Sequence, residues 1–549
     1  MPDHHTPARD HAHRPCPSRT PWVVAFTLGL CLSSCDGSGE SGLLGEGGAG
    51  GSSELEAGRD FFRAATFGND GFWTQAAQLP QGLAEVGFTM RDALGAGLQV
   101  DELALNPAET ADLVAELATD LSPASAPLLN DPLYFQELLS RNAFMGLVAD
   151  DADGDAFLDG DGGDALGFSC ALCHSVSDGQ VFDGPGSGGP LTGSIGGPID
   201  GPANLDLDYG LLLSAARNSR ALYPQLPLTL AAVGGTPIAR TVATAPFTAS
   251  EADVDALLLD LNAFPIGQVD VLPDGIGAPV TIPGVYQVRP AAPYGVAGEF
   301  DRLVDAINFN ALVCLDPSVV LDAAGAEFLE AFAPGIGTQI TNETASIYAE
   351  TGVVPPPGGF PYVDAPLGPE TGSAAYPFGR RLEEDTLQAM ALYMQQLRAP
   401  APPAGDPEAI ERGEVVYGAE CAGCHGTPAE PRPLDRVPLD VLQVNSAPSN
   451  LLVRGFPYSN MLNDLLSTYD DRVVLFDQIY VGAQVPSSPR KIAVPELAGV
   501  FLRSPLLHDG SVPDLEALLD AARGPAAPHA FYVPETERQD LIEFLTRRP

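Results

Sequence analysis

The sequence predicts a mainly α protein built as two similar helical domains with long loop-rich insertions. Three observations predict it. The motif C-x-x-C-H occurs twice, at Cys170–His174 and Cys421–His425. Each copy is followed by a segment that closes in an apolar stripe at helical spacing, Glu383–Leu397 in the first case and the C-terminal "PETERQDLIEFLTRR" in the second. Between them "RAPAPPAGDP" sets a run of prolines that no helix continues, the clearest boundary in the chain. At 549 residues the chain is too long for one core, and its 45% hydrophobic share is that of a folded globular protein.

At the N-terminus, Trp22–Leu32 ("WVVAFTLGLCL") is too short to span a bilayer and suits a signal-peptide core. It runs into Leu32-Ser33-Ser34-Cys35, which resembles the bacterial lipobox and predicts cleavage before Cys35 and lipid attachment to its sulfur. An ordinary signal peptide is the alternative. Residues 1–35 are thus read as a lipoprotein signal and 36–56 as a Gly/Ser-rich tether. The expected location is the periplasm or cell surface, with membrane contact only through the lipid anchor. Residues 57–150 read as a helical N-terminal region, carried by "DELALNPAETADLVAELATDL" and "PLYFQELLSRNAF". Residues 151–398 form the segment of the first motif, 399–406 the linker and 407–549 the segment of the second. "DDADGDAFLDGDGGD" opens the first segment with Asp151, Asp153 and Asp155 at alternate positions, like the start of a calcium loop, although Ala156 stands where such a loop wants glycine. A bound calcium and an acidic surface loop are both open readings.

The formal charge of −45 excludes nucleic acid as a partner, because phosphates are repelled. It would attract a small basic redox protein. A solvated acidic surface is the plainer reading.

With eight Cys and eight His in the chain, chance predicts about 0.002 copies of the motif. On one helical turn the two sulfurs can each add to a porphyrin vinyl group while the following imidazole points at the iron. Two covalently bound haems c follow, on Cys170, Cys173 and His174 and on Cys421, Cys424 and His425. A redox disulfide does not need histidine as the next residue twice, and cysteine pairs this far apart do not have the spacing of a zinc ribbon. Once the signal is removed, only His508 and His529 remain besides the proximal histidines, with Met90, Met145, Met390, Met394 and Met461. Met390 and Met394 share a helix face and read as core. His508, at a turn in "LRSPLLHDGSVPDLEALL", and Met461 are the ligand candidates. With so few candidates, one iron is expected to stay open to peroxide or oxygen.

"SPLLHDGSVPDLEALL" after a C-terminal C-x-x-C-H resembles the bacterial di-haem cytochrome c peroxidase superfamily. "GRDFFRAATFGNDGFWTQAAQLP", "FSCALCHS" and "IGGPIDGPANLDLDYG" are more similar to its rubber-oxygenase-like branch. The resemblance implies two cytochrome c-like haem domains facing each other, a catalytic N-terminal haem and an electron-transfer C-terminal one. The chain departs from the peroxidase pattern, which sets a tryptophan after the first motif: its only mature tryptophan, Trp73, lies before it. No peroxide-site glutamate can be matched, and Ala522 stands where the peroxidases place an axial methionine. His508 thereby becomes the first choice as axial metal ligand of the C-terminal haem, with Met461, His529 and Tyr532 behind it. The expected function is an electron-transferring oxidoreductase that reduces peroxide at the N-terminal haem. A pure electron carrier and a haem-dependent oxygenase of apolar substrates are the alternatives.

Overall fold

The computed structural model describes residues 49–160, 162–184, 190–222, 250–259, 261, 264–269, 280–286, 288, 294, 302–316, 318, 321, 337–350, 362–364, 380–427, 436–438, 491–507, 510, 512–524, 527 and 529–548. The lipobox, Met461 and His508 lie outside them. Among the described residues the chain is mostly helix, turn and loop, and its strands form only two-stranded ladders. No described helix is long and apolar enough to cross a membrane.

Two helix pairs organise the chain around the motifs. Helix α1 (Ala49–Ala64) crosses α4 (Glu384–Met394), and α5 (Pro407–Glu420) crosses α7 (Glu535–Arg547). The motifs themselves are single turns, α2 (Ala171–His174) and α6 (Ala422–His425), with α3 (Leu303–Phe309) packed beside α4. Each crossing is made by a glycine. A Cβ on Gly58 would stand 2.0 Å from the Ala389 carbonyl oxygen and 2.9 Å from Tyr393 Cβ. A Cβ on Gly413 would stand 1.9 Å from the Asp540 oxygen and 2.8 Å from Phe544 Cβ. One turn on from each glycine an aromatic ring meets an aromatic of the partner helix, Phe62 on Tyr393 at 5.7 Å and Tyr417 on Phe544 at 5.1 Å between centroids. The two pairs are therefore the same device used twice, a likeness not visible as a repeat in the sequence.

Helix α1 begins inside the segment read as a tether. Glu54, Leu55, Glu56 and Ala57 are good helix formers, and burial of Phe62 against α4 holds the helix. Between α1 and the first motif, residues 65–169 supply Trp73, Phe135, Phe144 and Phe168 to a core that they share with later residues such as Leu212, Phe264 and Tyr348. This region presents a short hairpin, β1 (Leu147–Asp150) against β2 (Ala165–Phe168), that leads straight into Cys170. Side chains grip it: Asn69 exchanges bonds of 2.8 and 2.9 Å with the Phe168 backbone, and Thr74 does the same with Leu166 at 3.2 and 2.8 Å. Trp73 is buried here, donating to the Leu315 carbonyl at 3.2 Å. The C-terminal segment has no such insertion, since α5 runs directly into α6.

Adding one methyl group at a crossing tests the helix-pair device. Gly413→Ala should cost about 1–3 kcal/mol, because the methyl group meets backbone rather than a movable side chain. An unfolding midpoint in urea equal to that of the unaltered chain would show that the helices separate freely at that point.

Candidate functional site

Both motifs close as one helical turn, His174 N bonding Cys170 O and His425 N bonding Cys421 O at 3.0 Å in each case. The four cysteines are half-buried and unjoined by disulfides. Burial pushes the Cys170 and Cys173 thiols up to about 12 and the Cys421 thiol up to about 11, so they stay protonated at neutral pH. The histidines are held alike. His174 Nδ1 lies 3.0 Å from the carbonyl oxygen of Pro283, and His425 Nδ1 lies 3.2 Å from that of Pro495. A carbonyl only accepts, so Nδ1 is the protonated nitrogen in both rings and Nε2 keeps its lone pair. Burial lowers His174 to about 4, which keeps the ring neutral and able to ligate.

The backbone around the first motif is clamped. Gly201 N bonds the His174 oxygen and Asn204 N the Cys173 oxygen, both at 2.8 Å. Gly146, at φ +80 just before β1, lets the backbone approach α2 so closely that a Cβ would lie 1.9 Å from Leu172 N. Strand β3 (Ser175–Ser177) then pairs with β4 (Pro198–Asp200), which ends in the buried Asp200. That carboxylate accepts from Ser175 Oγ and from Arg63 Nε, each at 2.7 Å, and from Tyr393 Oη, and so ties the motif to α1 and α4 at once. Around the second motif, Tyr417 Oη donates to Gly426 O at 2.7 Å, and Arg548 donates to Tyr417 Oη and lies over its ring at 4.8 Å.

The imidazole that faces the second motif is His529. Its ring centroid is 6.2 Å from that of His425, and Phe531 stands edge-on to it at 5.1 Å. Its Nδ1 is buried with no hydrogen-bond partner, and its backbone is held at φ +53, which non-glycine residues seldom adopt. An unpaired buried nitrogen costs about 1–3 kcal/mol, so the position wants a ligand. Two imidazoles binding one iron from opposite sides have ring centres about 6 Å apart, given metal–nitrogen bonds of about 2 Å and a further 1 Å or so to each ring centre. The donor set therefore fits a haem iron. Burial, then nearby His425 and Arg523, lower His529 to about 4. His508, the first choice on sequence, lies outside the described residues. Tyr532 is committed elsewhere, donating to Gly524 O at 2.7 Å, and Ala522 sits in the turn Ala521–Arg523. Met390 and Met394 are core residues with Phe62 and Leu387, as their spacing implied.

The acidic loop gathers Asp151, Asp153 and Asp164, whose oxygens lie within 4.8 Å of one another. Asp155 is not part of the group. Its carboxylate accepts from Phe157 N at 2.8 Å. The loop joins strands β1 and β2, so the helix–loop–helix of an EF-hand is not formed, although Ala156 takes the left-handed conformation, φ +65, expected of a glycine there. Burial, with Asp153 and Asp151 adding to it, raises the Asp164 carboxyl.

No family model matches the chain, and no curated protein matches it. Among solved structures, a hydrazine synthase of Kuenenia stuttgartiensis, pressurized with 20 bar xenon, aligns at 16% identity over 31% of this chain, with a TM-score of 0.20. The match takes in 57% of the hydrazine synthase chain. A MauG-like protein associated with microbial copper homeostasis aligns at 18% identity over 53% of this chain and 81% of its own, with a TM-score of 0.26. Likenesses this slight assign neither fold nor function. The chemistry rests on the two motifs and their surroundings.

One half-buried carboxyl two residues past Asn204 gives a pH test. Asp206 is raised to about 6, first by burial and then by Asp183. Between the ordinary aspartate value near 3.9 and about 6 the folded chain binds the extra proton, so stability falls as pH rises through that window. Asp206→Asn should therefore be more stable than the parent at pH 7 and equal to it below about pH 4. Thermal unfolding across this range measures it, and a difference that does not vary with pH would contradict the assignment.

Proposed function

We propose that the protein is a di-haem c-type redox protein, anchored by lipid at Cys35, that moves electrons between its two haems. One haem is thioether-linked to Cys170 and Cys173 with His174 on the iron, and the other to Cys421 and Cys424 with His425 on the iron. The observation that carries this reading is the matched pair of Nδ1–H bonds to Pro283 and Pro495. Bonds of this kind orient an imidazole and raise its basicity toward a metal, and here each lies on the histidine of a C-x-x-C-H turn. Each segment is thus a cytochrome c-like haem domain.

His529, rather than His508, would be the second histidine to hold the C-terminal haem. Held by two imidazoles, that iron would be suited to electron transfer rather than substrate binding. With His529 at the C-terminal haem, the sequence has few further histidines and methionines to offer the N-terminal haem, which on this reading keeps an open position. A haem held there would supply the chemistry of reducing peroxide to two waters, which takes two protons and two electrons, the electrons drawn from a haem held by His425. The chain's own share is to hold the His174 ring, to anchor its turn through Asp200 and to shield the attachment cysteines from water. A small basic cytochrome is the electron donor, drawn by the charge of −45.

The purified protein should contain two haems per chain by pyridine haemochrome assay. Carbon monoxide should bind one of them. His529→Ala should turn the C-terminal haem from low-spin to high-spin or water-ligated and open it to carbon monoxide, while the haem count stays at two. An unchanged spectrum in His529→Ala returns the sixth position to His508 or Met461. Two low-spin haems that both ignore peroxide and carbon monoxide leave only the electron-carrier function.

A further inference from the structure

The two proline carbonyls that hold His174 and His425 are joined to each other by a short chain of contacts. Three residues after Pro283 comes Tyr286, which is 2% exposed. Its hydroxyl donates to the Gly499 carbonyl at 3.0 Å and receives Arg503 Nε at 3.4 Å, and the guanidinium also lies over the phenol ring at 5.3 Å. Arg503 in turn donates through Nη1 to Glu496 O at 2.5 Å and through Nη2 to Ala498 O at 3.3 Å. Glu496 directly follows Pro495. From one imidazole to the other, the path therefore runs through the Pro283 carbonyl, the backbone to Tyr286, the phenol, the Arg503 guanidinium, Glu496 and the Pro495 carbonyl. A second strand reinforces its first half, since Gly201 N bonds His174 O at 2.8 Å and Val285 N bonds Gly201 O at 2.7 Å.

The surroundings are shaped for this contact. Gly499 sits at φ +64, and a Cβ there would lie 2.7 Å from the Tyr286 hydroxyl and 2.8 Å from Ala399 Cβ. Gly201, at φ +112, faces Tyr286 and Leu397 from the other side. A tyrosine is the one aromatic that can fill this slot and also hydrogen-bond both the Gly499 carbonyl and the Arg503 guanidinium.

We propose that Tyr286 and Arg503 form the bridge through which the two haem domains exchange electrons. This rests on the di-haem reading above and adds the route to it. One electron crosses at a time: as one iron passes from ferrous to ferric, the other passes from ferric to ferrous. No bond forms or breaks, and Tyr286 keeps its proton on the Gly499 carbonyl. The bridge shortens the gap that the electron must cross through space, because bonded and hydrogen-bonded atoms couple better than van der Waals contacts or water.

The test uses the full haem-loaded chain, half-reduced, with carbon monoxide flashed off the open haem and the intramolecular electron re-equilibration followed by absorption. Tyr286→Phe keeps the ring and the packing and removes both hydrogen bonds. Arg503→Met keeps the apolar stem and removes the guanidinium. Each should slow re-equilibration by about tenfold while haem count, spectra and both midpoint potentials stay as in the parent. Unchanged rates in both variants, with two haems in place, overturn the bridge and leave the di-haem reading standing. Fewer than two haems in the parent removes that reading and the bridge with it. A slowed rate that is fully accounted for by a shifted midpoint potential also overturns the bridge, since driving force rather than coupling would then have changed.

Discussion

A histidine of a C-x-x-C-H turn is useful only if its ring is aimed, and in this chain the aim comes from one hydrogen bond made twice, Nδ1–H to a proline carbonyl. The constraint is severe because the proline is far from the motif in sequence. The chain must return, over 109 residues in the first case and 70 in the second, with its carbonyl turned inward. Proline suits the place: it has no N–H to satisfy, and its fixed φ limits how the carbonyl can swing. Much of the remaining structure can be understood as what brings these two carbonyls home. In the first domain the loop of Gly201 and Asn204 stitches motif and return segment together, and in the second the ladder Arg436–Pro438 with Lys491–Ala493 delivers Pro495.

Around that bond the two domains repeat the same parts with different residues. Gly58 and Gly413, Phe62 and Tyr417, Ala389 and Asp540, Tyr393 and Phe544 occupy matching roles at the two helix crossings. Only the glycine is demanded by sterics. The neighbouring positions need an aromatic ring or any backbone carbonyl, which is why the duplication is strong in space and faint in the letters. What distinguishes the domains is how each motif is tied to its first helix. In the second, Cys421 caps α5 and the link is covalent and immediate. In the first, 105 residues separate α1 from Cys170, and the link is made by Asp200 binding Arg63, Ser175 and Tyr393. The detour is held locally, since the hairpin β1–β2 arrives at Cys170 already fixed by Asn69 and Thr74.

The motifs and closing helices were legible because their signals are local. C-x-x-C-H sits within one turn, and the apolar stripes of Glu384–Met394 and Glu535–Arg547 are period 3.6 patterns. Asp514, likewise a local signal, caps the short helix Leu515–Leu518 by accepting from Ala517 N at 2.7 Å. His529 carried no such signal. It stands alone among small residues and prolines, and what marks it, a ring opposite His425 and an orphaned nitrogen, exists only once the chain has folded. Asp164 was hidden for a related reason. Spacing suggested Asp151, Asp153 and Asp155, but the hairpin register brings the far end of the loop back and substitutes a residue eleven positions beyond Asp153. The start of α1 was masked by its glycines, whose low helix propensity is overridden by packing of Phe62 on α4.

The segments of the two motifs meet in a seam of polar contacts under Tyr286, and their placement has a consequence for both histidines. Each proximal carbonyl lies within a few bonds of the domain seam, so a strain at the seam reaches both histidines through the backbone rather than through distant packing. Tyr286 is packed by Gly201, which also holds the His174 carbonyl, and by Gly499, which lies four residues from Pro495. A shift of one segment against the other would have to break the bonds that Tyr286 makes to Gly499 and Arg503, and the first of these is buried and therefore costly to leave unmade. The arrangement ties both imidazoles to one buried residue, Tyr286, and so limits how far either can move against the other.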